Sequence, residues 1–520
     1  MESIKYGREA RESIQRGVDT LSNAVKITLG PKGQNVIIDR GPDMLPIITK
    51  DGVTVAKNVT VEDRYEAMGV QLMKDVAEQA EQGSGDGTTT ATVIAQCILN
   101  YGLKLVAGGY DANELKQGVD FGVKQAVEYI NSIAIPVDTD SEMIKQVATV
   151  SANNNIEIGE LVAKAFGKVG REGGVSVEAS QGQTTYIDVV DGMQFDRGMV
   201  SPYFSTNPDT MEVTYKDPYI MLVDGKLTTV EDVMPTLEQT TKVGRPLLIV
   251  AEDIEGQALA TLVINKTRGG AQVVAVKTPG FGSQRAEILQ DMAYQTGGIV
   301  CKSEFINQLD GTYLGQADSV TVTQGSTVIV GAKGDEKEIK DRVSELQGKI
   351  KLEKSEFNKT QLTNRIAKLS GGIAVIYVGG NSEVEMKEKM DRVIDAKEAV
   401  ISALEEGVVP GGGIALLNAI DFIQDVKHET EQKGINLLKE ALKSPILTIC
   451  ENAGINGDVV ISSINRHKTS GRLGYDAKNA KYEDMIVVGI IDPKKVTRVA
   501  LENAASVAGT ILTTGCAIKL

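Results

Sequence analysis

The middle of the chain alternates short apolar runs with helix-length segments, and this alternation constrains the fold more than any other feature. Strand-length runs occur at 219–223, 247–251 and 271–277, while 255–268 and 284–296 have helical patterns. Such β-α-β-α order is typical of a parallel α/β unit. A chain of 520 residues has room for about three domains, and the β-α-β-α alternation is confined to the middle of this one. We therefore predict an α/β domain between helical flanks.

Helical periodicity dominates the flanks. Residues Ile14, Val18, Leu21 and Val25 follow one helix face, 65–82 is helical, a further helix begins at about Thr88, and a charged helix covers 383–406. Between the first two helices, β-branched runs flank the pair Asp51-Gly52. Such a pair between apolar runs predicts a hairpin turn, followed by a strand at 53–55.

Composition excludes several function classes. The formal net charge of −15 argues against a nucleic-acid partner, which needs a basic face. Two histidines and four widely spaced cysteines without a CxxC pair argue against a zinc site or a His-based triad. The sequence contains no run of 18 apolar residues, so we expect no membrane-spanning segment. The charged N-terminus does not match a targeting peptide. We expect a cytoplasmic protein with no membrane partner. If it is an enzyme, its chemistry must use carboxylates, hydroxyls, backbone amides and a hard metal ion.

The strongest candidate for that chemistry is the segment Gly85-Asp86-Gly87-Thr88-Thr89-Thr90. It precedes a predicted helix, and free amides at a helix N-terminus attract phosphate. Asp86 could hold Mg²⁺, which takes one or two carboxylates plus phosphate oxygens. No GxxxxGK[ST] or GxGxxG motif is present, so a nucleotide site, if the chain has one, must be of another kind. The alternative is simple capping of a helix, and the segment by itself leaves both open.

Two further carboxylates have structural and chemical interpretations. Asp51 either makes the tight turn or orients a water molecule for attack on a phosphate. Asp395, beside β-branched residues in the charged helix, either faces solvent or joins the same site. An apolar set in the middle unit would ordinarily be assigned to a core; it comprises Tyr203, Phe204, Leu237, Leu259, Val263 and Ile264.

The order of the motifs along the chain is far more specific than any one of them. The series TLGPKGQNVIID, TKDGVTVA, GDGTTTATV, GMQFDRG, SPYF, TPGFG, EGVVPGGG and DPKKVTR resembles the GroEL-type group I chaperonins, the 60 kDa chaperonin family. The resemblance extends from about residue 6 to 514. It implies a multi-domain fold of the α and α/β class. A helical equatorial ATPase domain would cover 1–132 and 407–520, a small intermediate hinge domain 133–190 and 374–406, and an α/β apical domain 191–373.

The resemblance also implies an ATP hydrolase with a defined site. Asp51 and Asp395 would polarise the attacking water, Asp86 would bind Mg²⁺, and Thr28 with Asp51 would bind K⁺. The nucleotide itself would contact Thr28, Leu29, Gly30, Pro31, Lys50, Gly52, Gly87, Thr88, Thr89, Thr90, Asn153, Gly412, Asp476, Ala477, Ile490 and Asp492. Asp476 stands where the family usually has Asn, so contacts to the nucleoside are expected to differ there.

A chaperonin would capture unfolded polypeptides on exposed apolar groups. The family's positions correspond to Met199, Tyr203, Phe204, Met234, Leu237, Leu259, Val263 and Ile264. The implied partners are unfolded chains, other copies in a heptameric ring, and a co-chaperonin whose requirement stays open. Uncharged Leu447 and Asn456 occupy the positions of the family's inter-ring ion pair, so single and double rings are both open. Two other functional classes are a non-hydrolysing scaffold ring and a metabolic ATP-dependent transferase. The second requires an additional catalytic base, and the sequence offers no candidate for one.

Overall fold

The computed structural model describes residues 4–41, 46–171, 173–180, 182–207, 211–280, 282–302, 313–353, 355–467 and 471–519. The chain divides into two compact units. Unit 1 comprises Met1–Ala163 and Gly380–Leu520, and unit 2 comprises Lys164–Gly379. The discontinuous first unit joins both ends of the sequence around an inserted middle. The finer division into three domains stays a prediction.

The described residues contain eighteen α-helices, which in chain order are α1 Gly7–Lys26, α2 Gly52–Asn58, α3 Arg64–Ser84, α4 Thr88–Ala107, α5 Ala112–Ser132, α6 Glu142–Ser151, α7 Ile156–Val169, α8 Met234–Val243, α9 Gly256–Thr267, α10 Ser283–Thr296, α11 Glu336–Leu352, α12 Glu356–Ser370, α13 Glu383–Glu406, α14 Ile414–Ala419, α15 Glu429–Ala441, α16 Ser444–Asn452, α17 Gly457–Arg466 and α18 Lys494–Leu512. A 3-10 turn, Pro202–Phe204, precedes α8.

The strands in this part of the chain are β1 Ile4–Tyr6, β2 Val36–Ile38, β3 Ile47–Thr49, β4 Gly174–Ala179, β5 Tyr186–Val190, β6 Gly192–Phe195, β7 Val213–Lys216, β8 Tyr219–Leu227, β9 Leu247–Ile254, β10 Val273–Lys277, β11 Val300–Lys302, β12 Gly315–Gln316, β13 Ser319–Val322, β14 Thr327–Val330, β15 Ile373–Val378, β16 Val408–Pro410, β17 Leu473–Asp476, β18 Lys481–Asp484, β19 Ile491–Pro493 and β20 Cys516–Ile518.

Unit 1 is a helical layer whose core is built from α1, α3, α4, α5, α15 and α18. The predicted apolar face of α1 is confirmed, because Ile14, Val18, Leu21 and Val25 are all buried in this core. The strands among the described residues of this unit form two-stranded pairs, namely β1–β20, β2–β3, β16–β19 and β17–β18. Helices therefore supply the framework, and the loops between them are free to form a site.

The segment after Asp51 corrects one sequence prediction. Residues 52–58 form helix α2 rather than the expected strand at 53–55. Asp51 is the N-cap of this helix, and its carboxylate accepts hydrogen bonds from the backbone N–H groups of Val53 and Thr54. A side-chain cap satisfies orphan amides at a helix start, and this local gain outweighs the β preference of the Val-Thr-Val run. The two β-branched runs before Asp51 form a hairpin, in which β2 pairs with β3.

Unit 2 confirms the predicted α/β alternation. Its main sheet has the order β10-β9-β8-β11, with all of these strands parallel, and β12 pairs antiparallel to β8. Right-handed crossovers place α8 and α9 on one face of the sheet and α10 on the other, because the chain reverses its direction of travel between β10 and β11. An antiparallel sheet β6-β14-β13-β7 and a three-stranded sheet β4-β15-β5 complete the unit.

Two helices, α11 and α12, pack against each other and are joined to α10 by buried charges. The carboxylate of Asp291, which is only 4% exposed, accepts hydrogen bonds from Arg342 and Arg365. The Arg342 Nε–Asp291 Oδ1 distance is 2.9 Å, and the Arg365 Nε–Asp291 Oδ2 distance is 2.7 Å. One carboxylate thus links three helices.

Helix α4 is long and apolar enough to cross a membrane by length and composition alone, with a mean hydropathy of 1.3. Half of that segment is buried within the protein, against α1, α3 and α18. Its apolar residues, including Ile94, Ile98 and Leu99, belong to the core of unit 1. An apolar core helix accounts for the hydropathy, and this is the role that α4 has in the fold.

Candidate functional site

A cavity of about 480 Å³ lies within unit 1 and brings together segments from both ends of the chain. This volume is in the range of sites for small ligands. Every residue that the sequence predicted for nucleotide, metal or catalysis lines it: Thr28, Leu29, Gly30, Pro31, Lys50, Asp51, Gly52, Asp86, Gly87, Thr88, Thr89, Thr90, Asn153, Asp395, Gly412, Asp476, Ala477, Ile490 and Asp492. The structure thus places these residues around one space, and ligand contacts at each position stay a prediction.

The N-terminus of α4 is open toward this cavity. Its N-cap is Gly87, with φ of 90°, and no described side chain caps the helix. The amides of Thr88, Thr89 and Thr90 therefore lack the partner that an Asp or Ser cap would supply. This favours the phosphate interpretation of the segment over simple capping, since an uncapped helix start attracts anions through both its donors and its dipole.

The loop before α2 packs directly on this helix start. An added Cβ at Gly52 would lie 2.4 Å from Thr89 Oγ1, so only glycine allows the approach. The Oγ1 atoms of Thr28 and Thr89 are 3.5 Å apart. The residues after α1, the loop before α2 and the start of α4 are distant in sequence. They are in contact here through small side chains and hydroxyl groups.

Asp86 immediately precedes the helix start and is held from two directions. Its Oδ1 accepts from the Gly87 N–H, and its Oδ2 accepts from Ser151 Oγ at 3.0 Å. Enclosure in the cavity wall raises the pKa of the Asp86 carboxyl, while these two hydrogen bonds lower it and the Asp51 charge raises it further. No sequence pattern points to Ser151, because a serine at a helix end has many uses.

The geometry of Asp51 is compatible with both of its interpretations, a structural role at the turn and the orientation of a water molecule. Its Oδ2 accepts from Thr54 N at 2.8 Å and from Thr54 Oγ1 at 2.6 Å, and its Oδ1 accepts from Val53 N at 3.0 Å. A carboxylate offers about four acceptor positions. The cap therefore leaves Oδ1 with one position that can accept from a water molecule or contact a cation.

Asp395 faces the cavity from α13, and no described residue donates a hydrogen bond to it. Enclosure raises the pKa of its carboxyl well above the ordinary value, and the charges of Asp51, Asp86, Asp391 and Glu81 raise it further. The solvated-face alternative for Asp395 is therefore excluded by its position. A carboxylate with a raised pKa and free oxygens suits a group that accepts a proton from water.

Another enclosed carboxylate that lines the cavity is Asp492 on β19. Enclosure and the nearby charge of Asp86 raise its pKa to about 7, although the Gly412 N–H donates a hydrogen bond that lowers it. Strand β19 pairs with β16, which leads into the glycine-rich turn before α14. The pairing fixes the position of Asp492 relative to Gly412.

Asp476 has a structural role that the sequence did not indicate. Its Oδ1 accepts from the backbone N–H groups of Lys478 and Asn479, and its Oδ2 accepts from Asn479 Nδ2 at 2.7 Å. The side chain is 6% exposed. The carboxylate therefore shapes the turn between β17 and β18, which presents the cavity-lining residue Ala477.

The set of carboxylates fits a cation that shares its coordination with a ligand. No described Lys or Arg forms an ion pair with Asp86, Asp395 or Asp492, although enclosed charges are costly without a partner. The described residues also contain no group of three or more His, Cys, Asp or Glu side chains able to hold a metal ion. One carboxylate plus phosphate oxygens is the coordination that Mg²⁺ prefers, and Asp86 fits that role.

Sequence reasoning missed several cavity residues. Asp391 precedes Asp395 by one helical turn and also lines the cavity, a relation that the i, i+4 spacing could have revealed. Glu81 and Tyr475 line it as well, and no local motif identifies them. Asn154, which follows the predicted Asn153, also lines the cavity. Both residues have a positive φ near 60°, a conformation that asparagine tolerates.

The predicted apolar capture set in unit 2 is only partly at the surface. Tyr203 and Ile264 are 73% and 47% exposed, and Met234, Leu259 and Val263 are half-buried. Met199, Phe204 and Leu237 are buried at 9%, 0% and 3% exposure. These three belong to the core of the unit, where the sheet needs apolar cover, so their prediction as surface residues is corrected. The half-buried Met234, Leu259 and Val263 pack against the same core.

Comparison with known proteins agrees with this architecture. The chain resembles the chaperonin gp146 of bacteriophage EL 2 (Pseudomonas aeruginosa), crystallised in the presence of ATP-BeFx, with 21% sequence identity over 99% of each chain. The TM-scores are 0.71 and 0.64 for two crystal forms of that protein. The model of the TCP-1/cpn60 chaperonin family matches residues 21–520. With a match over nearly its whole length, this chain belongs to the TCP-1/cpn60 chaperonin family.

Proposed function

We propose that the protein is an ATP-dependent molecular chaperone. It captures unfolded polypeptides on apolar groups of unit 2 and encloses them in the cavity of a homo-oligomeric ring, driven by Mg²⁺- and K⁺-dependent ATP hydrolysis. Family membership supports the chaperone role. The observation that carries the ATPase role is the convergence of an uncapped helix start with Asp51, Asp86 and Asp395 on one cavity.

The residues divide the work of hydrolysis. The amides and hydroxyls of Thr88, Thr89 and Thr90 donate to phosphate oxygens. Asp395 accepts the proton of the attacking water, since its oxygens are free of hydrogen bonds from described residues, and Asp51 orients the same water through Oδ1. Bound at Asp86, Mg²⁺ would neutralise phosphate charge, and K⁺ would lie near Thr28 and Asp51.

Exposed apolar side chains on unit 2 give the capture surface. Tyr203 lies on the 3-10 turn and Ile264 on α9, and these two elements are in contact. Apolar groups bind unfolded chains through the burial of apolar area, without regard to sequence. A heptameric ring of such surfaces would surround a central cavity in the cytoplasm.

The Asp395→Asn variant tests the proposal. We expect wild-type protein to hydrolyse ATP and to refold a denatured enzyme, with and without a co-chaperonin ring. The variant should bind ATP with unchanged affinity and lose at least about a hundredfold in turnover, as expected for loss of a general base. Ile394→Ala, on the same turn but outside the cavity lining, is the matched control and should retain turnover. Wild-type protein without ATPase activity would refute the enzyme, leaving a non-hydrolysing ring.

A further inference from the structure

One side chain that does not line the cavity forms a hydrogen bond to the loop 28–31, whose residues do. Asn452, the last residue of α16, donates from Nδ2 to the carbonyl oxygens of Lys26 and Leu29, both at 2.9 Å. These carbonyls belong to the end of α1 and to the loop 28–31. Asn452 does not line the cavity, whereas Leu29 and Gly30 do. The loop therefore lies between this amide and the space where a ligand would bind.

The hydrogen bond to Leu29 determines the direction of the next amide. A trans peptide is planar, and its C=O and N–H point in opposite directions. With the Leu29 carbonyl directed at Asn452, the N–H of Gly30 points away from α16. Among the described residues, no backbone carbonyl accepts from this N–H.

The same helix fixes the loop by packing. Gly30 has φ of 85°, and a Cβ there would lie 3.1 Å from Ile449 Cγ1. Ile449 and Asn452 are three residues apart and thus on one face of α16. Ile449 sets the distance between α16 and the loop 28–31, and Asn452 sets the rotation of the peptide plane between Leu29 and Gly30.

We propose that Asn452 is a positioning residue that aims the Gly30 N–H into the cavity, where it donates to a phosphate oxygen of the nucleotide. This inference rests on the proposed function, since it needs a phosphate-bearing ligand. It assigns to an asparagine in the C-terminal part of the chain a role in phosphate recognition by a loop more than 400 residues away.

The Asn452→Asp variant tests the proposal, because a carboxylate has the same shape, cannot donate, and repels both carbonyls. Affinities for ADP and for adenosine are measured by competition against a fluorescent ADP analogue in the full-length protein. We expect Asn452→Asp to weaken ADP binding by about tenfold to a hundredfold, the effect of losing one charge-assisted hydrogen bond, and to leave adenosine binding unchanged. Asn452→Ala should show the same selectivity.

Asn418→Asp is the matched control. Asn418 is 3% exposed, donates from Nδ2 to the Gly471 carbonyl at 2.7 Å, and does not line the cavity. The Asn418→Asp variant should have a lower melting temperature than wild type and unchanged affinities for ADP and adenosine. Equal losses of ADP and adenosine binding in the Asn452 variants, or no loss of either, would overturn the positioning role. Wild-type protein that binds neither ligand would instead refute the proposed function.

Discussion

Replacing Asp492 by Asn should stabilise the ligand-free protein at neutral and alkaline pH. The native pKa of this carboxyl is about 7, against an ordinary value of 3.8. Below pH 4 the group is neutral in the folded and unfolded states and contributes nothing. As pH rises toward 7, the unfolded state ionises first, so the free energy of unfolding falls. The sign is therefore a loss of stability between about pH 4 and pH 7.

The magnitude follows from the difference between the two pKa values. Three pKa units at about 1.4 kcal/mol each amount to about 4 kcal/mol at pH 8, and to about 2 kcal/mol at pH 5. Asn retains an oxygen that can accept from the Gly412 N–H while lacking the charge. For a cooperative unit of roughly 300 residues, about 4 kcal/mol corresponds to about 6 °C in melting temperature.

Thermal melting of the ligand-free protein at pH 5 and pH 8 measures the effect. Asp492→Asn should melt above wild type at pH 8, and the difference should shrink by about half at pH 5. Glu62→Gln, which removes one negative charge from an exposed position, controls for net charge and should change little. A variant that melts at or below wild type at pH 8, or a difference independent of pH, would refute the assignment of an uncompensated carboxylate to this wall.

Three further outcomes are expected. Gly85→Ala should lower the free energy of unfolding, measured in urea, by about 2–4 kcal/mol. The added Cβ would lie 2.2 Å from a side-chain carbon of α13, and both overpacking and a positive φ are costly. Gly109→Ala is the control: Gly109 has φ of 97° and nothing within 4 Å of the added Cβ, so the loss should be only about 1 kcal/mol. Ser151→Ala removes one of the two donors to Asp86, so the Mg²⁺ concentration for half-maximal ATPase should rise, as a titration would show; an unchanged midpoint would remove Ser151 from the site. Asp291→Ala leaves two guanidinium groups without their shared carboxylate and should destabilise unit 2 by about 3–5 kcal/mol, measured by urea unfolding followed in that unit; a loss below about 1 kcal/mol would show that the ion network is dispensable.

The sequence alone determined the elements whose signal is local. Helix α13 has the predicted bounds, and the alternation in unit 2 is present as expected, because periodicity and strand length depend only on near neighbours. The residues 53–55 show the limit of this reasoning. A β-branched run predicts a strand, but Asp51 caps a helix there, and that helix buries Val53 and Val55.

Tertiary structure decided which side chains meet and which are covered. No local pattern indicates that Ser151 reaches Asp86 or that Asn452 holds the loop before Gly30, because both contacts join segments that are remote along the chain. Exposure is likewise a tertiary property: Tyr203 and Phe204 are adjacent, yet one is at the surface and the other in the core. Composition fixes how much apolar area a chain carries, and packing alone determines which part of it remains for a partner.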